Sequence, residues 1–273
     1  MKLAISNIAW QKEEEKEIAK LLVAKGVDGV EIAPSKIGSV SPDVLKDADI
    51  LEYKHFWNNE GLKIVAMQAL LFGRSDLTIF ESENSRKNLL VYLKRIIEIG
   101  SILGAKALIF GSPKNRKVGN LSTNEIEDIA IPFFKELGNY AKANNTYFCL
   151  EPNPHIYDCD FAVTTSEAIS LVNKVNTPGF TTHIDTAAMT LNKEPLSIIS
   201  ENKNLVVHVH ASEAYLNPVD SNKDVDHRAF LDVLKSIDYK GYISIEMKSV
   251  SNNNNISTVE KAIGFMNKQN REI

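Results

Sequence analysis

Eight short β-rich runs recur along the whole chain, and longer segments with helical periodicity separate each run from the next. The runs are largely apolar, as in the strands of a parallel sheet that helices cover on both faces. Regular alternation of this kind predicts a parallel α/β protein. The runs are KLAISNI, GVDGVEIA, LKIVAMQAL, AKALIFGS, TYFCLEP, GFTTHIDT, LVVHVHAS and GYISIEMK.

The segments between the runs carry amphipathic helical patterns. In residues 85–103 the apolar side chains form one stripe that includes Leu89, Leu93 and Ile96, with charged residues between them. The segment 123–143 opens with a cap-forming sequence and an acidic first turn. Pro132 lies inside this second pattern, where a kink or a break in the helix is expected.

The number of strand–helix units decides between the two common parallel architectures. Eight units over 273 residues favour a closed (β/α)8 barrel, or TIM barrel, which forms one domain of about 250 residues. An open sheet that binds a dinucleotide would carry a G-x-G-x-x-G turn after its first strand, and this chain has none there. We therefore expect a single TIM-barrel domain over residues 1–273.

The composition excludes several classes of function. The net charge of −4 and the pI of about 5.9 argue against a nucleic-acid partner, which usually requires a basic surface. No apolar run approaches the roughly 18 residues of a membrane-spanning helix, and the N-terminus lacks the features of a secretory signal. Two cysteines, Cys149 and Cys159, do not make a disulfide framework. We expect a cytoplasmic protein with free thiols and no membrane association.

Ionisable residues lie near the carboxyl ends of the last four runs, where a TIM barrel carries its active site. Glu151, Asp185, His210 and Glu246 occupy these positions. Alternate residues of a strand face the same side of the sheet. Each of the four should face the barrel interior, since the aliphatic residue before it should face the helices.

Three carboxylates and one imidazole at a single barrel mouth would repel each other without a counter-charge. A divalent cation resolves this conflict. An oxygen-rich ligand set with one histidine suits Mn²⁺, Mg²⁺ or Co²⁺, with Zn²⁺ as a further choice. The sequence thus predicts one metal ion on Glu151, Asp185, His210 and Glu246. The alternative is four ordinary strand-end residues in separate ion pairs.

Five short motifs span nearly the whole chain: VDGVEI at 27–32, LEPN at 150–153, HIDT at 183–186, HVHASE at 208–213 and GYISIE at 241–246. Together they resemble the xylose isomerase-like barrel superfamily, and most closely its sugar or sugar-phosphate isomerase/epimerase branch, which includes the ketose 3-epimerases. Each motif alone is short, so the resemblance depends on the set.

The resemblance implies the same four metal ligands and one catalytic pair. Glu151 and Glu246 would act as acid and base, one removing the proton next to a carbonyl and the other returning a proton to the opposite face of the enediolate. A bound cation would polarise the carbonyl and make that proton acidic enough for a carboxylate base. The implied substrate is a small sugar or sugar phosphate, and the implied assembly is a homodimer.

Two positions depart from the ketose 3-epimerases. Those enzymes carry a histidine three residues after the metal aspartate and an arginine six residues after the metal histidine, where this chain has Ala188 and Leu216. Three alternatives stay open: an inosose-type dehydratase or lyase on the same metal site, a sugar-binding barrel without turnover, and an endonuclease of the same superfamily. The endonuclease is disfavoured because the second and third strands offer Glu31 and Gln68 instead of histidines.

Six further residues are candidates for substrate contacts, because they lie at a strand end, beside a predicted ligand or in a loop at the barrel mouth. Structural roles compete at each position, since a buried histidine or carboxylate can also orient a metal ligand. Arg116, in the loop after the fourth strand, is expected to be exposed. The six candidates are Glu31, Gln68, Tyr157, His183, His208 and Lys248.

Overall fold

The computed structural model describes residues 1–220, 224–250 and 254–271. Within them, eight parallel strands close into a barrel in sequence order, with β1 paired to β8. This confirms the predicted (β/α)8 barrel, and each predicted run contains one strand. The strands are β1 (Lys2–Ser6), β2 (Gly29–Ile32), β3 (Lys63–Met67), β4 (Ala107–Phe110), β5 (Tyr147–Leu150), β6 (Phe180–Asp185), β7 (Val206–Ser212) and β8 (Tyr242–Glu246).

Helices connect the strands and cover the outside of the barrel. Two short helices, α6 and α7, occupy the connection between β6 and β7. None of the helices in the described part of the chain is long and apolar enough to cross a membrane. The helices are α1 (Glu15–Ala24), α2 (Asp47–Asn59), α3 (Glu83–Leu103), α4 (Thr123–Ala143), α5 (Thr165–Val175), α6 (Thr186–Leu191), α7 (Ser197–Glu201), α8 (His227–Ser236) and α9 (Asn255–Arg271).

α4 continues through Pro132, so of the two expected outcomes, a kink or a break, the break is wrong. Its N-terminus is fixed by a capping box, in which Ser122 Oγ accepts from the amide of Glu125 and the Glu125 carboxylate accepts from the amide of Ser122. Phe133 and Phe134, next to the proline, are buried against the barrel. This packing holds the helix together, because most helical stability in proteins comes from a buried apolar face.

The interior of the barrel differs between the two halves of the chain. The first half contributes mainly small and aliphatic side chains, including Ala4, Ala66 and Ala107, which pack in an inner cluster. It also contributes the buried polar residues Ser6, Glu31 and Gln68. The second half contributes ionisable and hydroxyl side chains. The strand register sets Asp185 beside His210, and Ser212 beside Glu246. Pairing of these strands therefore brings the polar residues together at one end of the barrel.

Candidate metal centre

The four predicted ligands meet at the carboxyl end of the barrel. One oxygen of each of Glu151, Asp185 and Glu246 and one nitrogen of His210 all lie within 4.8 Å of one another. His210 Nδ1 is 3.3 Å from Glu151 Oε1, 3.3 Å from Glu246 Oε2 and 4.0 Å from Asp185 Oδ2. Donors that sit about 2.1 Å from one ion lie roughly 3.0–3.4 Å apart. The cluster is therefore close to the size of a coordination shell.

The second nitrogen of His210 contacts Glu31. His210 Nε2 lies 3.1 and 3.0 Å from the two carboxylate oxygens of Glu31, and both residues are fully buried. Burial alone would raise the pKa of Glu31, but the neighbouring His210 and His208 lower that pKa well below its usual value. Glu31 is thus an ionised acceptor, and Nε2 carries the hydrogen that it accepts.

The contact with Glu31 places Nδ1 of His210 on the side of the three carboxylates, where it can hold a proton or, once deprotonated, offer a lone pair to an ion. Nδ1 is buried and has no hydrogen-bond partner among the described residues. Ser244 Oγ donates to Glu31 at 2.7 Å and fixes the carboxylate from the other side. A histidine that binds a metal through one nitrogen commonly donates the other N–H to a carboxylate. The geometry at His210 matches that arrangement.

Asp185 is held by hydrogen bonds to both of its oxygens. Oδ1 accepts from the amide of Ala188 at 2.6 Å, which caps α6, and Oδ2 accepts from Ser212 Oγ at 2.5 Å. Burial raises the pKa of Asp185 to about 6, and the nearby Glu151 carboxylate adds to the rise. These bonds fix the carboxylate in place before any ion binds.

Burial raises the pKa of Glu246 to about 7, although the neighbouring His210 acts in the opposite direction. Burial is the main cause of both raised pKa values, those of Asp185 and Glu246, and the neighbouring carboxylates add to it. Burial likewise opposes a charge on His210, yet Glu31 and Glu246 raise its pKa well above the usual value. A proton on His210 thus supplies part of the positive charge that a cation would supply.

The position of the Glu151 carboxylate depends on Gly111, the residue that follows β4 and that has no side chain. A Cβ at Gly111 would lie 2.2 Å from Glu151 Oε2, so glycine leaves the space that the carboxylate occupies. Arg116 Nη2 donates to the backbone oxygen of Glu151 at 2.8 Å. Arg116 is fully buried beside Cys159, so the expectation of an exposed Arg116 is wrong. A 3-10 turn over Pro113–Arg116 directs its side chain inward.

The residues present fit a divalent cation. The donor set has three carboxylate oxygens and one imidazole nitrogen, a combination typical of Mn²⁺, Mg²⁺, Co²⁺ or Zn²⁺ sites. The imidazole nitrogen is buried and unpartnered, and the carboxylates around it carry raised pKa values. An ion between the four groups would take the place of the Nδ1 proton and neutralise the carboxylates.

A cavity of about 380 Å³ opens above the cluster, and all three carboxylates line it. Of the six candidates for substrate contacts, Tyr157 and Lys248 also line this cavity. The other lining residues are largely apolar. They are Pro113, Pro152, Asn153, Ala187, Ala188, Ser212, Glu213, Tyr215 and Leu216.

The other four candidates lie below the cavity, inside the barrel. Glu31 and His208 are buried, with His208 Nε2 3.5 Å from Glu31 Oε1. Gln68 is buried and donates to Ser6 Oγ at 2.8 Å. His183 Nδ1 lies 3.4 Å from Glu151 Oε1, and burial lowers the pKa of this histidine well below its usual value. These side chains contact the ligands or the barrel wall and not the cavity.

Two residues of the centre were not among the predicted site residues. Ser212 lies two residues after His210 on the same strand side, so strand parity carried a signal for it. Gly111 carried no such signal, because its importance comes from a side chain of the neighbouring strand. The role of a glycine that lies close to another side chain can be recognised only from the packed structure.

Solved structures with the same fold include sugar epimerases. The 3-keto-D-glucoside 4-epimerase YcjR from E. coli is 19% identical, with a TM-score of 0.79 over 98% of this chain and 99% of that one. D-psicose 3-epimerase from Clostridium cellulolyticum H10, solved with D-tagatose, is 16% identical, with a TM-score of 0.79 over 100% and 99%. The IOLI protein, solved with a zinc atom, is 20% identical, with a TM-score of 0.73 over 100% and 97%. These similarities establish the fold.

Sequence comparison extends this result. No curated protein matches the chain significantly. The sequence model of one family, described as xylose isomerase-like TIM barrel, matches residues 19–269. The match includes every residue of the four-ligand cluster and confirms the resemblance seen in the motifs. The chain belongs to the xylose isomerase-like TIM barrel family.

Proposed function

We propose that this protein is a divalent-metal-dependent isomerase or epimerase that acts on a small sugar or sugar phosphate by proton transfer next to a carbonyl. One observation carries the proposal: Glu151, Asp185 and Glu246 converge on the buried Nδ1 of His210 at the floor of a cavity. Membership of the family and a fold shared with sugar epimerases support it.

Glu151, Asp185, His210 and Glu246 would hold the ion. When bound, it would act as a Lewis acid that acidifies the proton next to the substrate carbonyl. Asp185 keeps its position through Ala188 and Ser212, so its role in the proposal is to bind and not to move a proton. His210 is turned toward the centre by Glu31.

Glu151 and Glu246 remain as the acid/base pair. They come from β5 and β8, which are separated by two other strands, so their carboxylates approach the cavity from different directions. One carboxylate would remove the proton from one face of the substrate. The other would return a proton to the opposite face, which inverts the carbon, or to the neighbouring carbon, which moves the carbonyl.

Solvent exchange tests this function directly. Mn²⁺-loaded protein is incubated in D₂O with a panel of ketoses and keto sugars, and deuterium at the carbon next to the carbonyl is measured by NMR. We expect exchange in the wild type and its loss in Glu246→Gln. Glu201→Gln, which changes an exposed carboxylate at the end of α7, is the matched control and should exchange normally.

Each outcome separates one alternative. Unchanged exchange in Glu246→Gln would remove Glu246 from the acid/base pair. Exchange followed by loss of water would indicate the dehydratase chemistry. Absence of exchange on every sugar by the wild type would favour a sugar-binding barrel without turnover.

A further inference from the structure

A strained turn after β7 forms one wall of the cavity. Tyr215 and Leu216 have φ angles of 61° and 57°, in the left-handed region that side chains other than glycine disfavour. The amide of Asn217 donates to the carbonyl of Ala214 at 3.3 Å and closes the turn around them. Turns with two left-handed central residues usually carry Asn-Gly or a similar pair. A tyrosine and a leucine at these positions are therefore costly.

Contacts from three other segments hold the turn in this conformation. The amide of Tyr215 donates to Tyr157 Oη at 3.0 Å, and the amide of Lys248 donates to the carbonyl of Leu216 at 3.0 Å. The carboxylate of Glu213, at the start of the turn, contacts His227 Nε2 at 3.0 Å, and both side chains are buried. Backbone strain that its surroundings maintain beside a cavity points to a functional element.

The strained turn presents apolar surface to the cavity. The ring of Tyr215 packs edge-on against Tyr157, with ring centroids 5.7 Å apart, yet it remains 51% exposed. Leu216, the next residue of the turn, also lines the cavity. The cavity thus has a floor of carboxylates and a side wall of two aromatic rings and a leucine.

Charge argues against a phosphate at this wall. Lys248 is the one cation among the described residues that line the cavity, and its side chain is exposed. Phosphate sites in proteins usually combine several donors, such as guanidinium groups or the amides at a helix N-terminus. A single ammonium beside an apolar wall does not provide that combination.

We propose that Tyr157, Tyr215 and Leu216 bind an apolar substituent of the substrate, so that the natural substrate is a sugar carrying an aryl or alkyl group. The inference rests on the proposed function, because the metal centre would hold the reacting end of the sugar and direct the other end toward this wall. Apolar walls with a few placed polar groups are the usual construction of small-molecule sites.

Binding to the Mn²⁺-loaded protein tests the proposal without catalysis. The probes are phenyl β-D-glucoside, methyl β-D-glucoside, glucose and glucose 6-phosphate, each titrated by isothermal calorimetry. We expect the phenyl glycoside to bind at least about tenfold more tightly than the methyl glycoside, in line with burial of one additional ring. Glucose 6-phosphate should bind no more tightly than glucose.

A double variant removes two of the three wall side chains, those of Tyr215 and Leu216, and keeps the turn. Tyr215→Asn combined with Leu216→Gly introduces the pair that this turn type favours, so the fold should be retained and the thermal midpoint should stay equal or rise. The preference for the phenyl glycoside should disappear. Tyr215→Phe, which keeps the ring, is the matched control and should retain the preference.

Three results would overturn the inference: equal or undetectable binding of the phenyl and methyl glycosides by the wild type, an unchanged preference in the double variant, or tighter binding of the phosphorylated sugar. The deuterium-exchange assay distinguishes the two proposals. Exchange on a free ketose without any phenyl preference would contradict this inference and leave the proposed function standing.

Discussion

His210 is the residue on which the candidate metal centre depends, because its two nitrogens face different partners. Nδ1 faces three carboxylates and Nε2 faces Glu31. A carboxylate that accepts from one ring nitrogen fixes the tautomer and makes the other nitrogen a better ligand. Glu31 thereby acts on the site from the opposite side of the barrel, without touching the cavity.

Glu31→Gln tests this support. The amide keeps the shape of the side chain but removes the charge, and it can rotate to present an N–H to His210. We expect the dissociation constant for Mn²⁺, measured by isothermal calorimetry, to rise about 10- to 100-fold. Glu17→Gln, at an exposed position on α1, should leave the constant unchanged. An affinity within about twofold of wild type in Glu31→Gln would show that Glu31 does not orient His210.

Strand parity identified the residues that converge, because an ionisable group at the inward end of a buried strand can lie only at the barrel mouth. Parity could not show how deep each residue lies. His183, His208 and Glu31 share the inward side with the predicted ligands, but they do not line the cavity. They precede the strand ends or face a partner across the barrel. Depth depends on strand stagger, which is a property of the closed sheet.

Among the elements, strands were easier to predict than helices. A strand of a parallel sheet is buried on both faces, so its apolar run is short and unmistakable. The connection between β6 and β7 breaks into α6 and α7. Asp185 was predicted as a metal ligand, and the structure shows that it is also the N-cap of α6, a role that was not predicted from the sequence. The break expected at Pro132 does not occur, because packing of the buried face of α4 outweighs the local tendency of proline to end a helix.

Pro132→Ala measures what α4 loses to its proline. Proline in a helix interior is about 3 kcal/mol less favourable than alanine, and its restriction of the unfolded chain returns up to about 1 kcal/mol. Pro132 is exposed, so the substitution disturbs no packing. We expect the free energy of unfolding in urea to increase by about 2–3 kcal/mol. Lys135→Ala, an exposed control in the same helix, should change it by less than about 0.5 kcal/mol. A loss of stability would mean that the proline sets a curvature that α4 needs.

For the whole molecule, the cluster makes stability depend on both pH and metal. Burial raises the pKa of Asp185 to about 6 and that of Glu246 to about 7, from 3.8 and 4.5 in the unfolded chain. The folded protein therefore binds these protons more tightly than the unfolded chain does. By linkage, the free energy of unfolding of the metal-free protein falls as the pH rises between 3.8 and 7. Glu31, whose pKa is lowered, loses its contribution only in acid, below its unfolded value of 4.5.

Metal should reverse this loss. We expect Mn²⁺, at about 100 times the dissociation constant measured at pH 8, to stabilise the fold there by about 2.7 kcal/mol, or roughly 5–10 °C in Tm. At pH 5 the same concentration should raise Tm much less, because protons already neutralise the carboxylates. Thermal melts in EDTA and in Mn²⁺ at both pH values check this. An equal rise at pH 5 and pH 8 would mean that the ion binds away from the four residues.

Architecture and family follow from the sequence because they are properties of the whole pattern, spread over eight units. The substrate does not, because it depends on a few loop residues whose conformation is set by distant contacts. The turn at Tyr215 and Leu216 is an example, since nothing in its local sequence predicts two left-handed residues in succession. The homodimer and the cytoplasmic location stay predictions.

Of the residues that line the cavity in the described chain, only Pro113 comes from the first half; the rest lie between Glu151 and Lys248. The loops after β1, β2 and β3 thus lie at the same end of the barrel but do not line the cavity. Such loops can accumulate substitutions or acquire insertions at little cost to the cluster of Glu151, Asp185, His210 and Glu246. Among barrels of this kind, the loops after β1, β2 and β3 are therefore where contacts to new ligands can evolve while the four-residue cluster is kept.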